Sequence, residues 1–141
     1  MKMKNKKMLI ILICIICLSA VVVVFTLFFT RSKKYRLVLE DNTTAYTLTS
    51  GNTGKVYDIT NEEFNQIAQK LKEVELTKSS EKSTGWLYMI SYCDSNNNYH
   101  NLIISSKKIS YDNADYNVLN NSADNLYEYM ESLGKKYFTI R

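Results

Sequence analysis

One uncharged apolar run constrains this chain more than any other feature of its sequence. Residues Met8–Phe29 read MLIILICIICLSAVVVVFTLFF and contain no charged side chain. As a helix with a rise of about 1.5 Å per residue, the run would extend roughly 33 Å, enough to cross the hydrocarbon core of a membrane. It therefore predicts a transmembrane helix over residues 8–29, between a basic tail (1–7) and a basic linker (30–34).

Two other interpretations of this run fit it less well. A cleaved secretory signal has an apolar core of about 7–15 residues followed by a small-residue cleavage site, but here the run continues well beyond the candidate site Cys17-Leu18-Ser19. A lipoprotein signal needs small residues before its cysteine, and both Cys14 and Cys17 follow isoleucine. The sequence therefore favours an uncleaved, single-pass anchor.

The basic residues on either side of the run are nearly balanced. Four lysines precede it, and four basic residues follow within residues 31–36. Large domains translocate largely regardless of charge, whereas a short tail with four lysines is costly to move across. We therefore expect the N-terminus to lie in the cytoplasm and residues 8–29 to be embedded in the lipid bilayer of the cell membrane. Residues 35–141 are then expected to form one extracytoplasmic domain.

The charge of this domain excludes one class of function. Residues 35–141 contain 11 Lys and Arg against 14 Asp and Glu, a formal charge of 11 − 14 = −3. Nucleic-acid binding depends on a basic surface that neutralises phosphates, so we predict no nucleic-acid partner. Cys93 is the one cysteine after the apolar run, which also excludes a scaffold held by internal disulfides.

Strand-like runs and two helical patterns alternate along the domain. The runs KYRLVLE, AYTLTS and KVYDI precede TNEEFNQIAQKLKEVEL, in which Thr60-x-x-Glu63 is a capping box for a helix over Asn61–Glu75. A second helix is predicted over Ala123–Leu133 and ends at Gly134. It follows the strand-like runs GWLYMISYCD, YHNLIIS and ISY, the last leading into DYNVL. The predicted fold is α+β, with an antiparallel sheet of about six strands, both helices on one face and the order βββα-βββα.

This plan resembles that of small membrane-anchored extracytoplasmic proteins of low-GC Gram-positive bacteria. The segments that carry the resemblance are ITNEEFNQIAQKLKEVELTK in the middle of the chain and KKISYDNADYNV near its end. Several such proteins are accessory, immunity or sensor components, and the resemblance implies a role of that kind. It assigns no functional residue.

Candidate chemical motifs are weak. The single histidine, His100, is expected near Cys93 across a hairpin, as a thiolate–imidazole pair requires, but no third group supports it. Asp94-Ser95-Asn96-Asn97-Asn98 opens like a calcium loop, yet Tyr99 and Ser105 replace its diagnostic Gly and Glu, so an Asx-rich turn is favoured. We predict no catalytic residue, no metal site and no cofactor.

Aromatic residues give the clearest functional hint. Trp86, Tyr88 and Tyr92 alternate along one strand, and Tyr46 and Tyr99 can join them from neighbouring strands. If both helices cover the opposite side, these residues form an open aromatic face that suits a peptide, glycan or protein partner. The alternative is that the aromatic side is the core and the Leu87/Met89 side is half covered.

The sequence therefore predicts a non-enzymatic interaction module at the cell envelope, with a protein or peptide as its partner. A different possibility is a ligand sensor or immunity component that binds a small molecule or peptide between the sheet and the helices. An envelope enzyme is a third possibility, and it would have to use His100.

Overall fold

The structure is a computed structural model and describes residues 13, 15–24, 33–39 and 44–139. By its internal contacts the chain divides into two compact units, Met1–Lys33 and Lys34–Arg141. In the first unit, residue 13 and residues 15–24 are helical (α1). The second unit carries the sheet and the other helices.

The predicted transmembrane helix over residues 8–29, and with it the single-pass localisation in the cell membrane, is wrong. Within the described part of the chain, no helix is both long enough and apolar enough to cross a membrane. The rest of the predicted span, residues 8–12, 14 and 25–29, lies outside the described residues.

The second unit is built on one antiparallel sheet. Its described strands are β1 (Lys34–Tyr35), β2 (Thr44–Ser50), β3 (Val56–Asp58), β4 (Leu76–Lys78), β5 (Tyr88–Cys93), β6 (Tyr99–Ile104), β7 (Lys108–Tyr111) and β8 (Ala114–Val118), in the spatial order β1-β4-β8-β7-β6-β5-β2-β3. Every neighbouring pair is antiparallel. The predicted α+β class and antiparallel sheet are confirmed, with eight described strands rather than about six.

Local chemistry explains the tightest hairpin of the sheet. Asp112 and Asn113 alone connect β7 to β8, with φ angles of 46° and 68°. A two-residue hairpin of this left-handed kind matches the right-handed twist of the strands, and Asp and Asn tolerate the conformation better than other non-glycine residues. The turn therefore carries two polar side chains at the end of the hairpin.

Two helices follow strands of this unit. Helix α2 (Asn61–Glu73) begins with the predicted capping box: Glu63 N donates to Thr60 Oγ1 over 3.2 Å, and Thr60 N donates to Glu63 Oε2 over 2.8 Å. Helix α3 (Asp124–Phe138) continues past Gly134, where the sequence predicts its end. Gly134 is buried against the Tyr88 hydroxyl, and a Cβ at that position would collide with it. This glycine serves helix–sheet packing rather than helix termination.

Both α2 and α3 cover the same face of the sheet. Phe64 of α2 lies 5.0 Å, between ring centroids, from Tyr92, while Phe138 of α3 lies 6.5 Å from Tyr88. Tyr88 and Tyr92 alternate along β5 and so point to one side. The buried core is in this layer, and its largest fully buried side chains are Tyr92, Phe64, Leu39, Leu48, Ile67, Leu71, Leu76, Ile90, Leu102, Ile104, Ile109 and Leu126.

Candidate functional site

The other face of the sheet carries an open cleft of about 550 Å³, which we call the sheet-face cleft. Its floor crosses four adjacent strands, because the register aligns Met89 with Ile103, Ile103 with Ser110, and Ser110 with Asp115. Asn101 adds an amide next to this row and accepts a hydrogen bond from the Ser91 hydroxyl over 2.7 Å. The floor is therefore mixed, with two apolar side chains among hydroxyl, amide and carboxylate groups.

Two exposed aromatic side chains line this cleft. Trp86, just before β5, is 36% exposed, and Tyr99, at the start of β6, is 65% exposed. The residues of the connector before β5 and of the β7–β8 turn complete the walls; they are Lys82, Ser83, Gly85, Asp112 and Asn113. Indole and phenol rings combine a large apolar surface with one polar group, which is why they are frequent in binding surfaces.

The connector that carries Trp86 is held in place by hydrogen bonds to the sheet. The Ser83 and Ser105 hydroxyls lie 3.0 Å apart, and Leu87 N donates to Ile104 O over 2.8 Å. On the other side, Gly51 lies so close to the Trp86 backbone that a Cβ there would collide with the Trp86 carbonyl. These contacts place Trp86 at the edge of the cleft.

A histidine cluster adjoins the cleft at the β7–β8 turn. His100 Nδ1 lies 2.6 Å from Asp112 Oδ2, and His100 Nε2 lies 3.3 Å from Asp94 Oδ2. The imidazole is also stacked on the rings of Tyr92 and Tyr111, with centroids 5.1 Å and 5.9 Å away. Because both ring nitrogens face ionised carboxylates, which only accept hydrogen bonds, the arrangement favours the doubly protonated imidazolium.

The charges of this cluster support one another. The hydrogen bond to Asp112 raises the pKa of His100 above its ordinary value; partial burial opposes this rise, and Asp94 adds to it. Hydrogen bonds from the Asn98 side chain and from backbone amides of the loop, together with His100, lower the pKa of Asp94 to about 2 against the effect of burial. Asp112 Oδ1 also accepts from Asn101 N over 3.0 Å, so the cluster fixes one wall of the cleft to its floor strand.

The structure separates the five predicted partner-binding residues into two groups. Trp86 and Tyr99 line the cleft, whereas Tyr92 is fully buried and Tyr88 packs between the sheet and α3. Tyr46 stacks on Phe64 of α2, with 4.4 Å between centroids. The expected single open face of Trp86, Tyr88 and Tyr92 is therefore wrong, because the helices cover the tyrosine side of β5. The alternative, with the aromatic side as core, describes Tyr88 and Tyr92.

Cys93 and His100 do not form the expected pair. The register aligns Cys93 with Tyr99, and His100 with Tyr92. Since successive residues of a strand point to opposite faces, the Cys93 and His100 side chains lie on opposite sides of the sheet. The hydrogen bonds of the imidazole to Asp94 and Asp112 leave it no role in activating the thiol.

The Asp94 loop satisfies its own carboxylate. Asp94 Oδ1 accepts from the backbone amides of Asn96 and Asn98, each over 2.8 Å, and Oδ2 accepts from the Asn98 side chain over 2.8 Å. This is the Asx-turn chemistry expected of the sequence. Over the described residues, no group of three or more His, Cys, Asp or Glu side chains is arranged to hold a metal ion.

The sequence interpretation missed the floor of the cleft. Its polar members, Asn101, Ser110 and Asp115, lie on three strands that the sequence does predict, and each alternates with core residues. That alternation was the available signal, since polar residues at every second position of a strand mark the face away from the core. It could not show that three strands align these groups side by side.

A smaller cleft of about 470 Å³ lies between α3 and the strands β2 and β5. It is lined by Tyr88, Glu131, Lys135 and Phe138, among others. The pKa of the Tyr88 hydroxyl is raised, first by burial and then by the charge of Glu131. This opening is the nearest match to the expected site between sheet and helices.

Compared with protein-family models, with curated proteins and with solved structures, the chain matches none of them.

Proposed function

We propose that this protein is a non-enzymatic binding module that holds a short peptide segment of a protein partner in the sheet-face cleft. The observation that carries the proposal is the position of Trp86 and Tyr99, two exposed aromatic side chains that line one concave, partly polar surface. The volume of the cleft, about 550 Å³, is within the usual range of ligand sites, about 300–1,000 Å³.

The composition of the cleft favours a peptide. Exposed Trp and Tyr beside Met, Ser and Asn is a combination that recurs in protein-recognition surfaces, where aromatic rings supply contact area and small polar groups supply adaptable hydrogen bonds. A peptide carries both donors and acceptors along its backbone. The hydroxyl, amide and carboxylate groups of Ser110, Asn101 and Asp115 offer partners to both.

A peptide library displayed on phage and selected on the full chain tests this proposal. We expect selected peptides whose affinity, measured by calorimetry, falls at least tenfold in the Trp86→Ala and Tyr99→Ala variants, because anchoring aromatic residues dominate such interfaces. Tyr57→Ala is the matched control, since Tyr57 is 37% exposed and does not line the cleft. Thermal melting of each variant separates lost binding from lost folding.

Two results would contradict the proposal. One is the failure of the selection to yield any peptide. The other is a set of peptides that bind the Trp86→Ala and Tyr99→Ala variants as well as they bind the wild type.

A second candidate function is the sensing of a small molecule in the cleft beside α3. What supports it is the pair of opposite charges, Glu131 and Lys135, beside the partly buried Tyr88 hydroxyl in an opening of about 470 Å³. Such a ligand would raise the melting temperature of the wild type. It would raise that of the Glu131→Gln variant less, and Trp86→Ala would leave the shift unchanged.

A further inference from the structure

We infer that the peptide segment carries an arginine side chain that pairs with Asp115 on the floor of the cleft that Trp86 and Tyr99 line. This inference rests on the proposed function and names the chemistry of the partner. It is argued from the charges of the cleft and from the aromatic rings that line it.

Among the described residues, Asp115 is the carboxylate of the cleft that has no ion-pair partner. It is half-buried on β8, and the Ser110 hydroxyl donates to its Oδ1. The described ion pairs join other groups, and no Lys, Arg or His nitrogen of the described residues lies within ion-pair distance of the Asp115 carboxylate. A partly buried carboxylate with one hydrogen bond gains most from a charged donor.

The other charged groups of the cleft are already compensated or remain in water. Asp112 is paired with His100 over 2.6 Å. Lys82 is exposed on the wall of the cleft, where solvent and salt screen its charge. The floor therefore offers one negative charge, and the domain around it, with 11 basic and 14 acidic residues over 35–141, carries −3. Both the floor of the cleft and the net charge of residues 35–141 favour a cationic partner.

The aromatic walls favour the same cation. The face of an indole or phenol ring attracts a positive charge within about 6 Å of its centroid, and arginine is the commoner partner because its planar guanidinium can stack. A guanidinium also forms two parallel hydrogen bonds with one carboxylate. Trp86 and Tyr99 on the walls and Asp115 on the floor bring aromatic rings and a carboxylate into the same cleft.

The experiment uses the peptides selected on the full chain. We expect an arginine, or less often a lysine, at one shared position in them. Replacing that arginine with citrulline, which keeps the shape and removes the charge, should weaken binding at least tenfold. On Asp115→Asn the same replacement should change the affinity by less than threefold. The asparagine oxygen can still accept the Ser110 hydrogen bond, so this variant keeps the floor intact.

Asp58→Asn is the matched control, because Asp58 is an exposed strand carboxylate outside the cleft. It should retain the full tenfold effect of citrulline. Selected peptides without a shared basic residue, or equal affinity for the arginine and citrulline forms, would contradict the inferred arginine. The proposed peptide site in the cleft would be unaffected by either result. If Trp86→Ala and Tyr99→Ala leave binding unchanged, the proposed function fails, and this inference fails with it.

Discussion

Lys136 Nζ lies 2.6 Å from Glu63 Oε1, and this ion pair joins the last turn of α3 to the first turn of α2. The same carboxylate accepts the Tyr137 hydroxyl over 2.8 Å and the Thr60 amide over 2.8 Å. A residue that the sequence identifies only as part of a capping box is therefore also the link between two helices. Its charge state should affect the stability of the whole helical layer.

The first prediction concerns Glu63→Gln. We expect this variant to lose about 1 kcal/mol at pH 7, the usual cost of a lost helix cap. Chemical denaturation measures the change. Glu62→Gln is the control, because Glu62 is in the same helical turn and takes part in none of these hydrogen bonds. An equal loss in both variants would contradict the role of the link.

The pH dependence of this link has a definite sign. Burial raises the pKa of Glu63, but the hydrogen bonds from Lys136, Thr60 and Tyr137 outweigh it and lower the pKa from 4.5 to about 2. A carboxyl group whose pKa is lower in the folded than in the unfolded protein stabilises the fold at pH values above its unfolded pKa. This stabilisation is lost as the pH falls through its folded pKa. The difference in melting temperature between wild type and Glu63→Gln should therefore shrink between pH 4.5 and pH 2.

His100 should act in the opposite direction. The Asp112 hydrogen bond raises the pKa of His100, so the imidazolium stabilises the folded protein. This stabilisation is fully present below about pH 6.5 and is lost as the pH rises through the pKa of His100 in the folded protein. We expect His100→Gln to melt about 4 °C below the wild type at pH 5.5, with a smaller gap at pH 9. A gap that stays constant from pH 5.5 to pH 9 would argue against a charged His100.

Gly51 should control the position of Trp86. A Cβ at residue 51 would collide with the Trp86 carbonyl, which is backbone and cannot turn away. We expect Gly51→Ala to cost about 1–3 kcal/mol, as overpacking does, and to shift the fluorescence of Trp86, the one tryptophan of the chain. At Gly54 a Cβ would meet nothing within 4 Å. Gly54→Ala should therefore leave the Trp86 fluorescence unchanged. It should still reduce stability, because Gly54 has a φ of 67° that alanine adopts poorly.

Gly134 and Tyr88 should be energetically coupled. Gly134→Ala places a methyl group against the Tyr88 hydroxyl, so it should destabilise the wild type although alanine favours helices. In a Tyr88→Phe background the obstructing oxygen is gone. There the same change should cost less or stabilise by up to about 1 kcal/mol. A double-mutant cycle by denaturation measures the coupling, and strict additivity of the two changes would contradict it.

Helix α2 was predictable because its determinants are local. Thr60 and Glu63 are three residues apart, and the apolar stripe that follows lies on one face of the same helix. Gly134 shows the limit of such rules: a glycine after a helical pattern usually ends the helix, but here the Tyr88 hydroxyl occupies the space of a side chain. That contact joins residues 46 positions apart, so no local pattern contains it.

The sequence analysis missed β4 and misassigned the aromatic face for a similar reason. Leu76–Lys78 is only three residues long and is a strand because it pairs with residues 116–118. Tyr88 and Tyr92 share one face of β5 as predicted, but Trp86 lies before the strand and lines the cleft on the other face. Which face is open depends on where α2 and α3 pack. The sequence pattern of one strand does not contain that information.

The strand order has a consequence for how the cleft forms in time. Strands β5 to β8 are consecutive in sequence and adjacent in the sheet, so each of their pairings closes a short loop. The pairings of β2 with β5 and of β4 with β8 instead join segments that are far apart in sequence. Short loops cost least entropy to close, and such contacts form early. The floor residues Met89, Asn101, Ile103, Ser110 and Asp115 all belong to this meander, and we expect it to be the folding nucleus. Ile104→Val should then slow refolding, while Leu76→Ala should mainly speed unfolding, and the cleft floor would be in place before the edges of the sheet.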